Sequence, residues 1–183
     1  MTATTTAPGV WAGPKQITFE LPSIQFPPVS ERAHGEVCMA ILRRNGRFLL
    51  QTKQNYPGSV MRLPSGGIQR GERVEAALLR EIWEETNLEV RVERYVARIG
   101  YRCGESRSRF VTNLFLVREV SGVLQSNDPD EKISDWQEAL PDELPDYAEK
   151  LRCMTPSWRS WGIFRAASMD ILCEHASDLI RQS

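Results

Sequence analysis

The chain has 183 residues, a formal net charge of −1 at pH 7 and a pI near 6.2, which corresponds to one domain large enough to bury its own core. The balanced charge gives no basic field, so we expect no nucleic-acid partner. The longest apolar run, Val37 to Leu42, is too short to cross a membrane, and the N-terminus lacks a signal-peptide pattern.

Residues 1–34 are rich in Thr, Pro and Gly, and their pattern is weak. Ile17 to Leu21 could form a short strand, whereas several prolines interrupt regular structure after it. We predict that residues 1–34 form an N-terminal arm, separate from a domain at residues 35–183. The sequence leaves open whether this arm is flexible or packs across a homodimer.

The domain begins with a predicted β-hairpin. Glu36 to Arg43 and Arg47 to Gln54 are rich in strand-forming residues, and Asn45-Gly46 between them is a strong turn signal. Asn55 to Arg62 contains Pro57-Gly58, which predicts a loop.

A helix is predicted after the glycine-rich stretch Leu63 to Gly67. No Ser, Thr, Asp or Asn stands at its start, so Gly71 is predicted as its N-cap residue. Beyond this helix, Val90 to Tyr101 and Phe110 to Val120 predict two strands joined by a polar loop.

The C-terminal third combines one more strand with a helix. Ile133 to Ala139 is predicted as a strand, and Leu140 to Asp146 is rich in turn-forming residues. Thr155-Pro156 is a suitable helix start, because proline is tolerated in the first turn. Apolar residues then recur at helical spacing to the end of the chain: Trp158, Trp161, Phe164, Ala167, Ile171, Leu172, Ala176 and Leu179.

The most informative segment is Gly66 to Leu88, GGIQRGERVEAALLREIWEETNL. An α-helix turns about 100° per residue, so Glu81 and Glu85 lie on one stripe, with Glu84 beside it. These acids repel one another and lie at the unfavourable end of the helix dipole. A bound divalent cation would offset both penalties, and carboxylate oxygens suit Mg²⁺ or Mn²⁺. The alternative is a solvated acidic face in which Arg80 and Glu84 form an ordinary i,i+4 pair.

The same segment resembles the Nudix box, G-x5-E-x7-R-E-U-x-E-E-x-G-U, where U is aliphatic. Ile82 and Leu88 fill the aliphatic positions of the box. All of its charged positions are present, namely Glu72, Arg80, Glu81, Glu84 and Glu85. Asn87 replaces the glycine, and Asn is the next most tolerant residue for the left-handed conformation expected there. Ser65 replaces the first glycine of the usual Pro-Gly-Gly, which leaves its backbone carbonyl in place.

The resemblance covers roughly residues 35–145 and implies the Nudix fold, an α/β/α sandwich with a mixed β-sheet. It also implies a hydrolase of nucleoside diphosphates linked to another moiety, with Mg²⁺ or Mn²⁺ as cofactor. The substrate would be a small-molecule nucleotide. ADP-ribose-like sugars, dinucleotides and nucleoside triphosphates all remain open, because we find no convincing subgroup signature after the box.

In this family reading, Glu81, Glu84 and Glu85 hold the metal, together with the carbonyl of Ser65. Glu81 or Glu85 would also assist the deprotonation of water. Arg80 would act in catalysis by orienting these carboxylates. Glu72 is either a further ligand or a carboxylate that fixes the loop to the helix.

Other candidates have ordinary structural alternatives. Lys53 could contact a phosphate, and so could the loop arginines Arg102, Arg107 and Arg109, but all could be surface charges. The acids of residues 128–131 lie where family members place an extra ligand, although a turn-forming role fits them equally: Asp128, Asp130 and Glu131. Trp158 and Trp161 could stack on a base or belong to the core.

The histidines and cysteines predict no further site. His34 and His175 are isolated, so we expect structural or exposed roles. The four cysteines are scattered without a CxxC pair and are Cys38, Cys103, Cys153 and Cys173. This spacing indicates reduced thiols in a cytoplasmic protein. The alternative function from another class is a domain that senses a nucleotide without cleaving it. Such domains usually lose box acids, whereas this chain keeps all of them.

Overall fold

The computed structural model describes residues 13–21, 35–103 and 106–181, without the side chains of residues 21, 103, 106–109 and 176–181. Seven strands and three α-helices follow one another along these residues. They are β1 Lys15–Leu21, β2 Glu36–Leu42, β3 Phe48–Lys53, β4 Ser65–Gly67, α1 Val74–Thr86, β5 Leu88–Cys103, β6 Ser106–Gly122, β7 Ile133–Ala139, α2 Leu144–Arg152 and α3 Pro156–Arg181.

The predicted hairpin is confirmed. Strands β2 and β3 each lie within one or two residues of the predicted bounds, and their turn lies at Asn45-Gly46. Gly46 has φ +81°, which favours glycine, and the Arg43 amide donates to the Arg47 carbonyl at 2.8 Å. The hairpin thus forms from its own turn chemistry.

The strands form one mixed sheet in the order β1-β5-β6-β2-β3-β7, with β4 pairing on β2. Strand β2 runs parallel to β6, whereas β3–β7 and β5–β6 are antiparallel pairs. Strand β2 pairs with β3 only at Leu42–Phe48, because β2 pairs with β4 at its other end. The segment from Arg62 to Gly67 therefore lies between the diverging strands β2 and β3.

Each face of the sheet carries its own hydrophobic core. Helix α1 covers one face, where residues such as Leu78 and Ile82 pack on Met39 and Val117. Helices α2 and α3 cover the other face, where Phe164 belongs to a larger core. This arrangement confirms the predicted α/β/α sandwich with a mixed sheet.

One expectation was wrong in detail, and two short elements were not predicted. The predicted polar loop at residues 102–109 is largely strand, because β5 extends to Cys103 and β6 begins at Ser106. The short strand β4 was not predicted. Helix α2 was not predicted either, since Pro141, Asp142 and Pro145 favoured turns there. Pro145 lies in the first turn of α2, where a missing N–H costs no helical hydrogen bond.

The predicted strand at Ile17–Leu21 is confirmed within β1, which pairs in parallel with β5 at the edge of the sheet. The division of the chain at residue 34 and the dimer-forming role stay predictions. Thr155-Pro156 does begin α3, as expected. Within the described ranges, the helices lack the combination of length and apolar character that crossing a bilayer requires.

Candidate active site

Helix α1 begins later than the sequence predicted. Its N-cap is Arg73, with extended backbone and no capping hydrogen bond from its side chain. Gly71, the predicted N-cap, instead turns the chain two residues earlier with φ +79°. This turn is closed by the Glu72 amide, which donates to the Gln69 carbonyl at 3.0 Å.

The end of α1 agrees with the prediction. Asn87 has φ 56° and ψ 21°, and its amide donates to the Trp83 carbonyl at 3.0 Å. Asn87 therefore occupies the left-handed conformation that the family's glycine would occupy.

The structure brings two box acids together with one distant acid. Glu81 and Glu85 are buried on the inner face of α1, and Glu131 reaches them from the loop before β7. One carboxylate oxygen from each lies within 4.8 Å of the others, and we name these residues the carboxylate cluster. Of the acids at residues 128–131, Glu131 is the one that joins the cluster; Asp128 and Asp130 form the turn before it.

Burial of the carboxylate cluster disfavours its charge. Burial raises the pKa of Glu81 to about 7, although Arg80 opposes the shift. Burial also raises the pKa of Glu85, against the opposing charges of Lys53 and Arg62. Oε2 of Glu85 and Oε2 of Glu81 are buried without a hydrogen-bond partner, whereas Oε1 of Glu85 lies 3.1 Å from the ammonium of Lys53. Such orphaned oxygens are costly in a folded protein unless something else binds them.

Arg80 ties the acids of the box to one another. Its guanidinium donates to Glu81 at 2.7 Å, to Glu84 at 2.8 Å and twice to Glu72 at 2.8 Å. It also donates to the Gly67 carbonyl at 2.9 Å, which fixes the preceding loop to the helix. The contacts fit the orienting role expected of Arg80, and Glu72 lies in this network. Glu84 also lies there, with Arg80 between it and Glu81.

Gly66 allows the loop to pass directly against Glu81. A Cβ at Gly66 would overlap the carboxylate of Glu81. The first glycine of the box is therefore a steric requirement of the site. Without a Cβ, Gly66 lets the loop backbone approach the carboxylate of Glu81.

Lys53 supplies positive charge beside the carboxylate cluster. Its ammonium lies 3.1 Å from Glu85 and also pairs with Glu131. Burial lowers the pKa of Lys53, but Glu85 and Glu131 outweigh it and raise the pKa above its ordinary value of 10.5. Burial alone would raise the pKa of Glu131. The positive charge of Lys53 outweighs the effect of burial and holds the pKa of Glu131 below its ordinary value. Lys53 is therefore largely buried and is not a solvated surface charge, and its contact with a substrate phosphate stays a prediction.

A second buried polar network lies behind the carboxylate cluster. Arg62 is 2% exposed and donates to Tyr56, to the Leu63 carbonyl and to Ser65. Ser65 also accepts from Arg165 of α3 at 2.8 Å.

Glu36 completes this second network. Arg165 donates to both of its carboxylate oxygens, at 2.9 and 2.7 Å, and Thr112 donates to Oε1 at 2.7 Å. The hydroxyl of Ser65 thus joins β4 to α3 and β2. The predicted metal contact of the Ser65 carbonyl stays a prediction.

Of the remaining candidates, those with described side chains lie outside the carboxylate cluster. Arg102 lies on β5, and its guanidinium is 3.6 Å from Glu20 of β1 at the sheet edge. The side chains of Arg107 and Arg109 lie outside the described residues, as does His34. His175 is partly exposed on α3. Cys38, Cys153 and Cys173 are free thiols, and the side chain of Cys103 is not described.

Trp158 and Trp161 form a half-buried aromatic group with Tyr56. The Tyr56 and Trp161 ring centroids lie 4.7 Å apart, and those of Trp158 and Trp161 lie 5.5 Å apart. Tyr56 lies three residues after Lys53, and Arg62 donates to its hydroxyl at 2.9 Å. The aromatic group therefore borders the buried networks.

Sequence reasoning did not single out Arg62, Glu36 or Arg165. The only indication in the sequence was that each is a charged residue within an otherwise apolar or strand-forming stretch. Such a residue does not indicate which other residue it will contact. Glu36 and Arg165 lie 129 positions apart and meet only through the packing of α3 on the sheet.

The fold and the site together define a class. An acid-bearing helix follows a glycine-rich turn and packs on a mixed sheet, as in Nudix-type pyrophosphohydrolases. The NUDIX domain family model matches residues 32–157, and the chain belongs to that family.

Curated relatives carry several hydrolase names. The chain is 34% identical over 119 residues to the NAD-capped RNA hydrolase NudC of Photorhabdus laumondii, covering 63% of this chain and 44% of that protein. It is 29% identical over 89 residues to the ADP-ribose pyrophosphatase of Methanocaldococcus jannaschii, covering 48% and 53% of the two chains. The chain thus spans only about half the length of these relatives.

Solved structures share the fold. The Ap4A hydrolase of C. elegans superposes with a TM-score of 0.54 at 15% identity, covering 79% of this chain and 98% of that chain. A MutT NUDIX hydrolase from Burkholderia pseudomallei superposes with a TM-score of 0.52 at 23% identity, covering 78% of this chain and 99% of that chain. At these identities the likeness establishes the architecture alone.

Proposed function

We propose that this chain is a divalent-metal-dependent pyrophosphohydrolase. It cleaves the diphosphate linkage of a nucleoside diphosphate bonded to another moiety, such as ADP-ribose, a dinucleotide or a nucleoside triphosphate. The observation that carries the proposal is the buried carboxylate cluster of Glu81, Glu85 and Glu131, whose oxygens converge within 4.8 Å.

The carboxylate cluster fits a hard divalent cation. Three carboxylates offer oxygen ligands, and two of their oxygens, Oε2 of Glu81 and Oε2 of Glu85, are buried without a hydrogen-bond partner. Mg²⁺ or Mn²⁺ would be held by these acids, with Glu84 and the carbonyl of Ser65 as further candidates. When bound, the ion would neutralise charge on the diphosphate and lower the pKa of a water.

The surrounding side chains have separate roles in this proposal. Lys53 faces the carboxylate cluster and is the cation best placed to contact a substrate phosphate. Arg80 holds Glu81 and Glu84 in fixed orientations. Glu81 or Glu85 would assist the deprotonation of the attacking water, and without metal, burial raises the pKa of Glu81 to about 7.

The substrate's other moiety has one candidate contact surface. The half-buried rings of Tyr56, Trp158 and Trp161 lie beside Arg62 and offer π-faces on which a base could stack. The relatives' names add capped RNA to the substrates worth testing, although the charge of −1 favours a small nucleotide.

A hydrolysis panel tests the proposal. ADP-ribose, NAD, a diadenosine polyphosphate, nucleoside triphosphates and an NAD-capped RNA oligonucleotide would be incubated with Mg²⁺, Mn²⁺ or chelator. We expect metal-dependent turnover of one of these classes, and a loss of about 100-fold or more in Glu85→Gln, since a buried metal ligand is removed.

Glu75→Gln, the same change on the exposed first turn of α1, is the matched control, and its turnover should stay near that of the unaltered protein. A flat panel together with nucleotide-induced thermal stabilisation would contradict hydrolysis. It would favour the nucleotide-sensing alternative.

A further inference from the structure

The one departure from the Nudix box, Asn87, uses its side chain as well as its backbone. Glycine would satisfy the backbone conformation equally well, because φ is 56°. The Asn87 side chain instead makes two hydrogen bonds. Its Nδ2 donates to the Val123 carbonyl at 3.0 Å, and its Oδ1 accepts from Asn127 Nδ2 at 2.9 Å.

The segment that Asn87 holds also closes the end of α1. Residues 123–128, which we call the latch segment, cross the last turn of the helix, where backbone carbonyls lack partners within the helix. The Gln125 amide donates to the Thr86 carbonyl at 3.2 Å, and the Asn127 amide donates to the Glu84 carbonyl at 2.8 Å. Asn127 Nδ2 also donates to the Trp83 carbonyl at 2.9 Å.

The latch segment leads directly to Glu131. Its last residue, Asp128, accepts from the Asp130 amide at 2.9 Å and begins a single 3₁₀ turn over Pro129–Glu131. This turn brings Glu131 to Lys53 and into the carboxylate cluster. Only three residues separate Glu131 from Asn127, so the latch segment limits where Glu131 can lie.

We propose that Asn87 is a positioning residue that sets Glu131 in the carboxylate cluster by holding the latch segment on the end of α1. Glycine at this position would end the helix but would remove the two hydrogen bonds of the Asn87 side chain to the latch segment. The inference rests on the proposed function in one respect, namely that the carboxylate cluster binds a divalent cation.

Asn87→Gly and Asn127→Ala test the proposal in the full chain by calorimetric titration with Mn²⁺. Each variant loses hydrogen bonds of modest net strength, so Mn²⁺ should bind about fivefold to tenfold more weakly. Both substitutions break the Asn87–Asn127 contact, but each also removes one further hydrogen bond, to the Val123 or the Trp83 carbonyl. The double variant should therefore lose less Mn²⁺ affinity than the product of the two single losses. Asn45→Gly, the same change in the β2–β3 turn, is the matched control and should bind Mn²⁺ normally.

Amide hydrogen exchange of the metal-free protein gives the second readout. In Asn87→Gly, we expect faster exchange at Gln125 and Asn127 with a melting temperature close to that of the unaltered chain. Unchanged exchange together with unchanged Mn²⁺ affinity would overturn the proposal.

The two proposals fail in different ways. If the unaltered chain bound no Mn²⁺, the proposal that this hydrolase depends on a divalent metal would be contradicted. The exchange measurement would then decide the role of Asn87, and equal rates in Asn87→Gly would refute it.

Discussion

Glu81 lies against the backbone of Gly66 and within reach of Arg80, so its carboxylate is confined from two directions. This confinement explains why the glycine-rich loop precedes an acidic helix. The loop contributes no side chain at Gly66. It contributes a surface without a Cβ, against which a buried carboxylate can point toward Glu85 and Glu131.

Gly66→Ala should therefore impair catalysis more than stability. The new methyl group would displace the Glu81 carboxylate, and a displacement of about 1 Å in such a site costs roughly 100-fold in rate. The melting temperature should fall by no more than about 4 °C, because the displaced atoms are the end of one side chain. Parallel measurement of metal-dependent turnover and thermal unfolding checks this.

Gly100→Ala is the matched control for Gly66→Ala. Gly100 also lies in a strand, but a Cβ there would meet only ordinary contacts, such as the Ile17 carbonyl at 3.8 Å. Its turnover should be unchanged. Equal turnover in both variants would show that Glu81 tolerates displacement.

The sequence predicted which helical acids belong to the site better than it predicted the residues that they contact. Glu81 and Glu85 follow from a helical stripe, because residues four apart share a face. Glu131 joins them across 46 positions from Glu85, through a turn whose acids serve equally well as turn formers. Arg62 was placed in a loop, yet it is buried and donates to Tyr56 and Ser65, which lie only six and three positions away. A loop has no apolar periodicity that would mark one of its charged residues as buried.

At the scale of elements, local chemistry predicted those that form from it. The Asn45-Gly46 turn fixed the hairpin, and the periodic apolar residues fixed α1 and α3. Strand β4 has only three residues and exists because Ser65 pairs with Cys38 of β2. Helix α2 has its apolar residues at helical spacing, but the turn-forming prolines before and within it obscured them.

Helices α2 and α3 cross closely at Gly162. A Cβ there would overlap the Leu151 carbonyl and crowd the Met154 sulfur. Gly162→Ala would gain about 1 kcal/mol of helix propensity. The overlap involves rigid backbone, so we expect a larger loss from overpacking and a net destabilisation of about 1–2 kcal/mol.

Urea unfolding of Gly162→Ala measures this balance. Arg159→Ala, on the exposed side of the same helix, should stay within about 0.5 kcal/mol of the unaltered chain. A stabilised Gly162→Ala would contradict the tight crossing of α2 on α3.

At the scale of the whole molecule, the carboxylate cluster couples folding to pH and to metal. Glu81 has its pKa raised by burial from 4.5 to about 7, so the folded chain holds a proton there that the unfolded chain has released. Where the folded state binds more protons, stability falls as pH rises. The metal-free protein should therefore lose stability between about pH 4.5 and 7. Glu85 acts in the same direction.

Unfolding of the metal-free protein in chelator at pH 5 and pH 8 tests this coupling. We expect lower stability at pH 8, and a smaller difference between the two pH values in Glu81→Gln, which has no proton to release. Carboxyls with lowered pKa values, such as Glu72, titrate below their ordinary 4.5 and add little in this window. Added Mg²⁺ should stabilise the chain more at pH 8 than at pH 5, because it must displace the proton of Glu81 at the lower pH. Equal pH dependence in the unaltered chain and Glu81→Gln would contradict the raised pKa. Equal stabilisation by Mg²⁺ at both pH values would contradict competition between proton and metal for this carboxylate.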